Sequence, residues 1–329
     1  MANKNLEQHR EDLANAIISK IESGKVADWK PGWFSSGFGE GDVNAVTGKR
    51  YSGDNSLLTY IVREQSGYQD NRWVTLKQAN DLGGNVKKGE KGLKLVKYDE
   101  YDVLTKKRPD WKTINEMPLE DKLKYVKENV RIFANRFVVF NVEQCENLAK
   151  LKPLVEKTMT PAEMARQDTT FETIIKNSGA PVYHDGGNSA FYRISTDDIH
   201  LPEVKKFKTK QDYYATAMHE IAHSTGHKSR LNRELGGGFV SEQYAIEELR
   251  AEISSVFLQG DLGVSLQGDV MEMSTSYIAA WREHLTDKTV INGIIKDAKG
   301  IADYIEDNYL MTSKKEKAPM AKDRGGKGD

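Results

Sequence analysis

The sequence predicts an α+β protein with two domains, and three observations lead to that prediction. The chain has 329 residues, 38% hydrophobic and 29% charged, which is long enough to bury two cores. Segments with the apolar spacing of helices alternate with short strand-like segments in both halves. A segment near residues 150–165 carries two prolines and separates the halves. We therefore expect domains over residues 1–152 and 153–312 and a disordered tail over 313–329.

Composition excludes several classes of protein. No apolar run approaches the roughly 20 residues that cross a bilayer. The charged start lacks a signal-type apolar core, so we expect a cytoplasmic protein with no membrane partner. The single cysteine, Cys145, excludes an internal disulfide and a thiolate-rich zinc finger. Residues 1–150 hold 25 Lys and Arg against 22 Asp and Glu, and the remainder 23 against 27, so basic surface belongs to the first half.

Each predicted element has its own signal in the sequence. Helical spacing or a terminating glycine predicts helices over residues 6–23, 57–66, 73–83, 171–179, 211–227 and 241–263. Alternating or β-rich segments predict strands over residues 92–104, 134–144, 180–185 and 188–196. The polar segment 105–130 between two of these strands is predicted to be an insertion that leaves the domain.

The first half combines aromatic and basic residues, as a nucleic-acid surface does. Seven basic residues but only two acidic ones lie between Arg72 and Lys97. Single-stranded nucleic acid is bound by a basic groove and by aromatic faces on which bases stack. The predicted DNA-binding residues are Trp29, Trp33, Tyr51, Asn55, Arg72, Trp73, Lys77, Lys87, Lys88 and Lys91. The alternative stays open, because such aromatics are often core residues and lysine runs are often only solvated.

A metal-site motif stands in the second half, where His219, Glu220 and His223 form H-E-x-x-H. On a helix, positions i and i+4 lie on one face, so both imidazoles can reach one ion. Zinc binds such nitrogens at about 2.0–2.1 Å, and Glu220 would take a proton from zinc-bound water. We expect one Zn²⁺ per chain, with Mn²⁺ or another divalent ion as the alternative. A polar helix with surface histidines is the competing interpretation.

Two segments could supply a third metal ligand. His227 follows Gly226, but the metzincin spacing requires a histidine at position 229, where Ser229 stands. His227 is therefore an alternative ligand or a residue beside the ligands. The helix containing E-E-L-R-A-E, residues 247–252, matches the gluzincin solution, in which a glutamate on a facing helix completes the site.

On that second helix, Glu248 is the predicted ligand. Glu252 lies on the same face and would orient an imidazole by accepting its free ring N–H. Tyr244 lies one turn before Glu248, and Glu247, about 100° around the helix, is the weaker alternative. An exposed acidic helix is the competing interpretation.

The strand over residues 188–196 could line the cleft as an edge to which an extended peptide adds. Tyr192 on that strand, or Tyr213 and its neighbour Tyr214, could donate to a developing oxyanion. No pattern ranks these tyrosines, and packing is the competing role for each.

Several motifs in the same order resemble the ArdC family of antirestriction proteins, which plasmids and other mobile elements carry. The motifs occupy residues 51–55, 73–78, 83–91, 139–145, 213–233, 244–252 and 276–281. The resemblance implies a single-stranded DNA-binding domain followed by a zincin-like metallopeptidase domain. It implies His219, His223 and a glutamate of residues 247–252 as ligands and Glu220 as the catalytic acid/base. The implied role is protection of incoming DNA from host restriction.

Two alternatives to this bifunctional protein remain. One is a non-proteolytic DNA-shielding protein whose zinc only braces the fold. The other is a metallopeptidase of an unknown protein or peptide substrate whose first domain binds a protein partner instead of single-stranded DNA. Salt-dependent affinity for DNA would distinguish the peptidase with a protein partner from the bifunctional protein and the DNA shield. Only the latter two contact phosphates, and phosphate contacts weaken steeply with salt.

Overall fold

The computed structural model describes residues 2–23, 41–153, 160–235, 241–262 and 285–310. It contains both helices and strands, which confirms the predicted α+β class. Trp29, Trp33 and the predicted tail lie outside the described residues. No helix in the described part of the chain is both long and apolar enough to cross a bilayer.

Nine helices organise the described residues, and most of the predicted helices coincide with one of them. They are α1 (Ala2–Ser23), α2 (Asp54–Ser66), α3 (Leu76–Asp81), α4 (Trp111–Glu116), α5 (Leu119–Asn129), α6 (Pro161–Lys176), α7 (Lys210–Ser224), α8 (Glu242–Leu262) and α9 (Lys288–Ile305). The sequence places the start of α6 ten residues too late. The helix starts where Thr160 forms a capping box. The Thr160 side chain accepts from the Glu163 N–H, and the Glu163 side chain accepts from the Thr160 N–H.

The strands of the described residues form three sheets, all of them small. They are β1 (Val43–Asn44), β2 (Arg72–Val74), β3 (Asn85–Val86), β4 (Leu93–Asp102), β5 (Val130–Asn141), β6 (Cys145–Glu146), β7 (Val182–Tyr183), β8 (Phe191–Arg193) and β9 (Asp198–His200). The sheet orders are β1-β2-β5-β4, β3-β6 and β7-β9-β8. In the last sheet β9 is central, parallel to β7 and antiparallel to β8. β8 therefore lies at an edge of its sheet.

The predicted insertion is the connection between the paired strands β4 and β5. It contains α4 and α5, and both helices are attached to β4. Trp111 Nε1 donates to Glu100, and the Tyr125 hydroxyl donates to Asp102 over 2.6 Å. The segment is therefore folded against its hairpin.

Both halves of the chain contribute to one hydrophobic core. Leu13 and Ile17 of α1 and Leu57 of α2 belong to the same buried cluster as residues of α7, α8 and α9. Helices α2 and α8 also meet through polar groups, since the Gly53 N–H donates to Asp261 over 3.0 Å. A Cβ built on Gly260 would lie 2.8 Å from Ser56 Oγ. This crossing therefore requires a residue without a side chain on α8.

Replacing Gly260 by leucine is expected to destabilise the protein by about 1–3 kcal/mol, the usual cost of overpacking. Urea unfolding monitored by circular dichroism measures the change. Gly293→Leu is the matched control, because Gly293 lies in α9 with nothing within 4 Å of the position of its Cβ. There, better helix propensity should leave stability unchanged or raise it by up to about 1 kcal/mol. Equal effects of the two variants would contradict the close crossing.

Candidate functional site

The H-E-x-x-H segment lies on α7, which a capping box fixes at its start. Thr209 accepts from the Asp212 N–H, and Asp212 bonds back to the Thr209 N–H. The helix is buried over most of its length, including His219 and Glu220, each 1% exposed. A polar helix with surface histidines is therefore the wrong interpretation of this segment. The histidines face α8 instead of solvent.

Three potential metal-ligating atoms converge between α7 and α8. The Nε2 atoms of His219 and His223 are 3.0 Å apart. Glu248 Oε2 lies 3.2 Å from the first and Glu248 Oε1 3.5 Å from the second. His219, His223 and Glu248 are the group of described residues whose ligand atoms could hold one ion. The structure thus brings the three predicted ligands together.

The other nitrogen of each imidazole faces a different glutamate of α8. His219 Nδ1 lies 3.8 Å from Glu252 and His223 Nδ1 lies 3.4 Å from Glu247. Glu252 and Glu247 are 2% and 6% exposed. Carboxylates in this position fix the tautomer of a metal-binding histidine and leave Nε2 for the ion. Glu247 is therefore not a ligand but faces the Nδ1 atom of His223. This is the orienting role that the sequence predicts for Glu252.

Glu248 dominates the electrostatics of the two histidines. Burial by itself lowers the pKa of His219, but the hydrogen bond to Glu248 and its charge outweigh it, so this pKa is raised. The pKa of His223 is raised well above its usual value, because Glu248 and Glu247 outweigh burial. Burial in turn raises the pKa of Glu248, but the two histidines overcome it and lower that pKa. The site therefore favours positive charge between the imidazoles.

This donor set fits a divalent metal ion. Ligands at about 2.0–2.1 Å around a tetrahedral ion lie about 3.3–3.4 Å from one another, close to the separations among His219, His223 and Glu248. When both Nδ1 atoms carry protons for their glutamates, the two Nε2 lone pairs face each other. A cation between them relieves that repulsion and offsets the buried charge of Glu248.

Glu220 lies beside this group without belonging to it. Burial raises the pKa of Glu220 even though both histidines oppose the shift. Its carboxylate accepts from the backbone N–H of Tyr192, which places it against the edge strand β8. A carboxylate with a raised pKa can accept a proton and release it again, as a general base and acid must.

The predicted alternatives around the site have other partners in the structure. His227 Nδ1 lies 2.8 Å from Ser229 Oγ and 3.3 Å from Asp197, outside the group of ligands. The Tyr192 hydroxyl donates to Asp197 over 2.8 Å. The hydroxyl of the buried Tyr213 is 3.1 Å from His184 Nε2, and that of Tyr214 donates to Glu172. No hydroxyl of these three tyrosines is directed to the ligands, because each has a partner elsewhere.

Sequence reasoning gives no role to Tyr244, although the structure places it at the site. Its hydroxyl hydrogen-bonds to Glu248, and burial together with Glu248 and Glu220 raises its pKa. The available signal was its spacing, since residue i−4 on a helix shares the face of the ligand.

The structure rules out Trp73 as an exposed DNA contact and gives Tyr51 and Asn55 other partners. Trp73 is 0% exposed, and its Nε1 donates to Asp42 over 2.8 Å. Tyr51 packs against the shared core. Asn55 exchanges two hydrogen bonds with the backbone of Val96. The prediction of Trp73 as a stacking platform is wrong, because a ring sealed in the core cannot meet a base.

The predicted cations divide into two groups. Three of them have polar partners in the first half: Arg72 pairs with Asp70 and donates to the Lys152 carbonyl, Lys77 pairs with Asp81, and Lys87 donates to the Glu143 carbonyl. Lys88 and Lys91 are exposed. Within the described ranges, no ion pair or side-chain hydrogen bond involves the ammonium group of either. Trp29 and Trp33 lie outside these ranges and stay predictions.

Comparison with known proteins covers nearly the whole chain. Residues 7–140 match the profile of the N-terminal domain of the anti-restriction factor ArdC, and residues 169–298 that of a zincin-like metallopeptidase. Two Escherichia coli proteins named DNA primase TraC are 38% and 36% identical over 90% of this chain. The chain spans only 20% and 27% of their lengths. The protein y4eC of Sinorhizobium fredii is 31% identical over 90% of both chains.

Two crystal structures of the antirestriction protein ArdC from plasmid R388 are similar to this chain. The metal-free structure is 28% identical with a TM-score of 0.55, and covers 91% of this chain and 97% of that one. The Mn(II)-bound structure is 26% identical with a TM-score of 0.56, and covers 92% and 99%. That relative therefore binds a divalent metal ion.

Proposed function

The chain belongs to the ArdC antirestriction family, and from this premise we propose a bifunctional protein of a mobile element. Its first half binds single-stranded DNA, and its second half is a metal-dependent peptidase. Together they protect incoming DNA from host restriction in the cytoplasm of a bacterial cell. The observation that carries the peptidase assignment is the convergence of His219, His223 and Glu248 beside the buried Glu220.

The proposed cofactor is one Zn²⁺, and Mn²⁺ is the alternative that the relative from plasmid R388 suggests. Nε2 of His219, Nε2 of His223 and a carboxylate oxygen of Glu248 would hold it. The chemistry that such an ion supplies is a coordinated water with a pKa near 7. Glu220 accepts a proton at its carboxylate and later delivers it to the leaving amine, for which its raised pKa is suited.

The proposed substrate is an extended peptide that lies along β8. That strand is at the edge of its sheet, and an edge strand offers backbone groups to a peptide. The contact between Glu220 and the Tyr192 N–H joins this edge to the site. Tyr244, which bonds to Glu248, replaces Tyr192 and Tyr213 as the proposed donor to the oxyanion.

The proposed single-stranded DNA surface follows the β4–β5 hairpin. Lys88 and Lys91 lie just before β4 and would contact phosphates. Tyr101 and Phe133 lie farther along the hairpin, are 36% and 41% exposed, and have ring centroids 6.3 Å apart. DNA bases would stack on these two rings instead of on the buried Trp73. Lysines near one end of the hairpin and aromatic rings farther along it match a binding mode that uses both kinds of contact.

Replacing both Lys88 and Lys91 by alanine is expected to weaken single-stranded DNA binding by the full-length protein. Two lost phosphate contacts should reduce the slope of log affinity against log salt by about 1.4, at about 0.7 per contact. Phe133→Ala should cost about 1–3 kcal/mol through lost stacking with little change in that slope. Fluorescence anisotropy with labelled oligothymidine at several salt concentrations measures both effects.

Lys176→Ala with Lys208→Ala is the matched control, since both lysines are exposed in the second half. This variant should bind DNA as the unmodified protein does. DNA affinity that does not change with salt in the unmodified protein would instead support a protein partner for the first half. Loss of affinity in the control alone would move the DNA surface to the second half.

The burial of the three proposed ligands also favours a second candidate function, in which the metal is structural. The histidines and Glu248 are at most 12% exposed in their side chains, which is also expected of a metal that only braces the fold. In that case the protein is a DNA shield without peptidase activity, and Glu220→Gln leaves antirestriction intact. An antirestriction assay of this variant, by conjugation into a restricting host, decides between the two functions.

A further inference from the structure

Two arginines hold Glu247, the glutamate that faces His223. Arg233 Nη2 lies 2.6 Å from Glu247 Oε1, and Arg250 Nη1 lies 3.3 Å from Glu247 Oε2. Arg250 is itself held by Asp297 of α9 over 2.7 Å. Glu247 therefore has a cation at each oxygen as well as the imidazole of His223.

Arg233 has a second set of contacts, with the end of the helix that carries the histidines. Its Nη1 donates to Thr225 Oγ1 over 2.6 Å, and its Nη2 donates to the Ala222 carbonyl over 2.9 Å. Its side chain is only 7% exposed. One guanidinium thus ties α7 to α8 beside His223. A lysine cannot do this, because its single ammonium does not reach several acceptors in a fixed plane.

We propose that Arg233 is a positioning residue for the metal centre, acting through Glu247 to fix the orientation of the His223 imidazole. This inference rests on the proposed metal centre. Arg233 holds the Glu247 carboxylate where it can accept the His223 Nδ1 proton, which leaves Nε2 as the ligand atom. Nothing in the H-E-x-x-H pattern marks Arg233, which lies ten residues beyond His223 in a loop.

The two histidines differ in how firmly a glutamate holds the Nδ1 side of each imidazole. His223 and Glu247 are 3.4 Å apart, and Glu247 is clamped by Arg233 and Arg250. His219 and Glu252 are 3.8 Å apart, which is too long for a good hydrogen bond. The imidazole of His223 is therefore the more rigidly directed ligand, and disturbing its support should alter the geometry of the site.

The test compares Arg233→Gln, Glu247→Gln and the double variant in the full-length protein. Isothermal titration with Co²⁺ and Zn²⁺ measures affinity, and the visible spectrum of bound Co²⁺ reports the coordination geometry. Each single variant should bind about 10–100-fold more weakly, the usual effect of removing such a partner. The double variant should bind no more weakly than Glu247→Gln alone, because Arg233 acts through Glu247.

Arg166→Gln is the matched control, an exposed arginine of α6 that should change neither affinity nor spectrum. Arg233→Lys keeps the charge without the fork, so it should bind at an intermediate affinity with an altered Co²⁺ spectrum. If circular dichroism shows that Arg233→Gln does not fold, Arg233→Lys becomes the variant that tests the proposal. Unchanged affinity and spectrum in a folded Arg233 variant, or losses that add in the double variant, would overturn the inference. Absence of metal binding by the unmodified protein would overturn the metal centre itself.

Discussion

Replacing Glu220 by glutamine is expected to lower the rate of peptide hydrolysis by about 10²- to 10⁴-fold, the usual contribution of a general acid–base residue. Glutamine has nearly the same size and can still meet the Tyr192 N–H, but it cannot take up a proton. Metal affinity should be retained, because Glu220 is not among the converging ligands. Single-stranded DNA affinity should also be unchanged.

Hydrolysis of fluorescein-labelled casein by the full-length protein, loaded with Zn²⁺ or Mn²⁺, measures this loss. Glu203→Gln is the control, an exposed glutamate before α7, and it should retain full activity. Cleavage at an unchanged rate by the Glu220 variant would remove Glu220 from the mechanism. Absence of cleavage by the unmodified protein with bound metal would favour the bracing role.

The second large effect is expected for Glu248→Ala, which should abolish tight metal binding and the stability that the metal provides. An ion present at 1,000 times its dissociation constant stabilises a folded protein by about 4 kcal/mol. The unmodified protein should therefore melt at a higher temperature with Zn²⁺ than with a chelator. The alanine variant should melt at one temperature in both conditions. Differential scanning calorimetry and elemental analysis measure the two quantities.

Glu252→Gln supplies the control on the same helix. Glu252 lies 3.8 Å from the Nδ1 atom of His219, too far for a good hydrogen bond, so this variant should still bind metal, less than about 10-fold more weakly. Metal-dependent stabilisation that survives in Glu248→Ala at full size would place the third ligand elsewhere. Its complete loss in Glu252→Gln would exchange the roles of the two glutamates.

The ligand set of the proposed metal centre was predictable because helix periodicity relates the residues within each of its two helices, and the gluzincin pattern relates the two helices. A spacing of four puts His219 and His223 on one face, and the same periodicity puts Glu248 and Glu252 together on the facing helix. Arg233 was not predictable, since it reaches Glu247 from a loop, and loop conformation has no periodic signal in the sequence.

The predicted DNA-binding residues show the opposite case. Trp73 and Lys91 look alike as members of one basic and aromatic segment, yet Trp73 fills the core and Lys91 is exposed. A strand only three residues long, β2, has too few positions for an inside–outside alternation to be recognised. The buried indole donates to Asp42, a partner 31 residues away in the sequence.

The crossing of α2 and α8 at Gly260 has a consequence for how such chains are inherited. Because both halves contribute to one hydrophobic core, replacing either half by an unrelated domain would expose apolar side chains of the other. The two halves should therefore be inherited together, as a single unit. In the two TraC proteins, a region matching 90% of this chain lies within a much longer polypeptide, as a unit of this kind would.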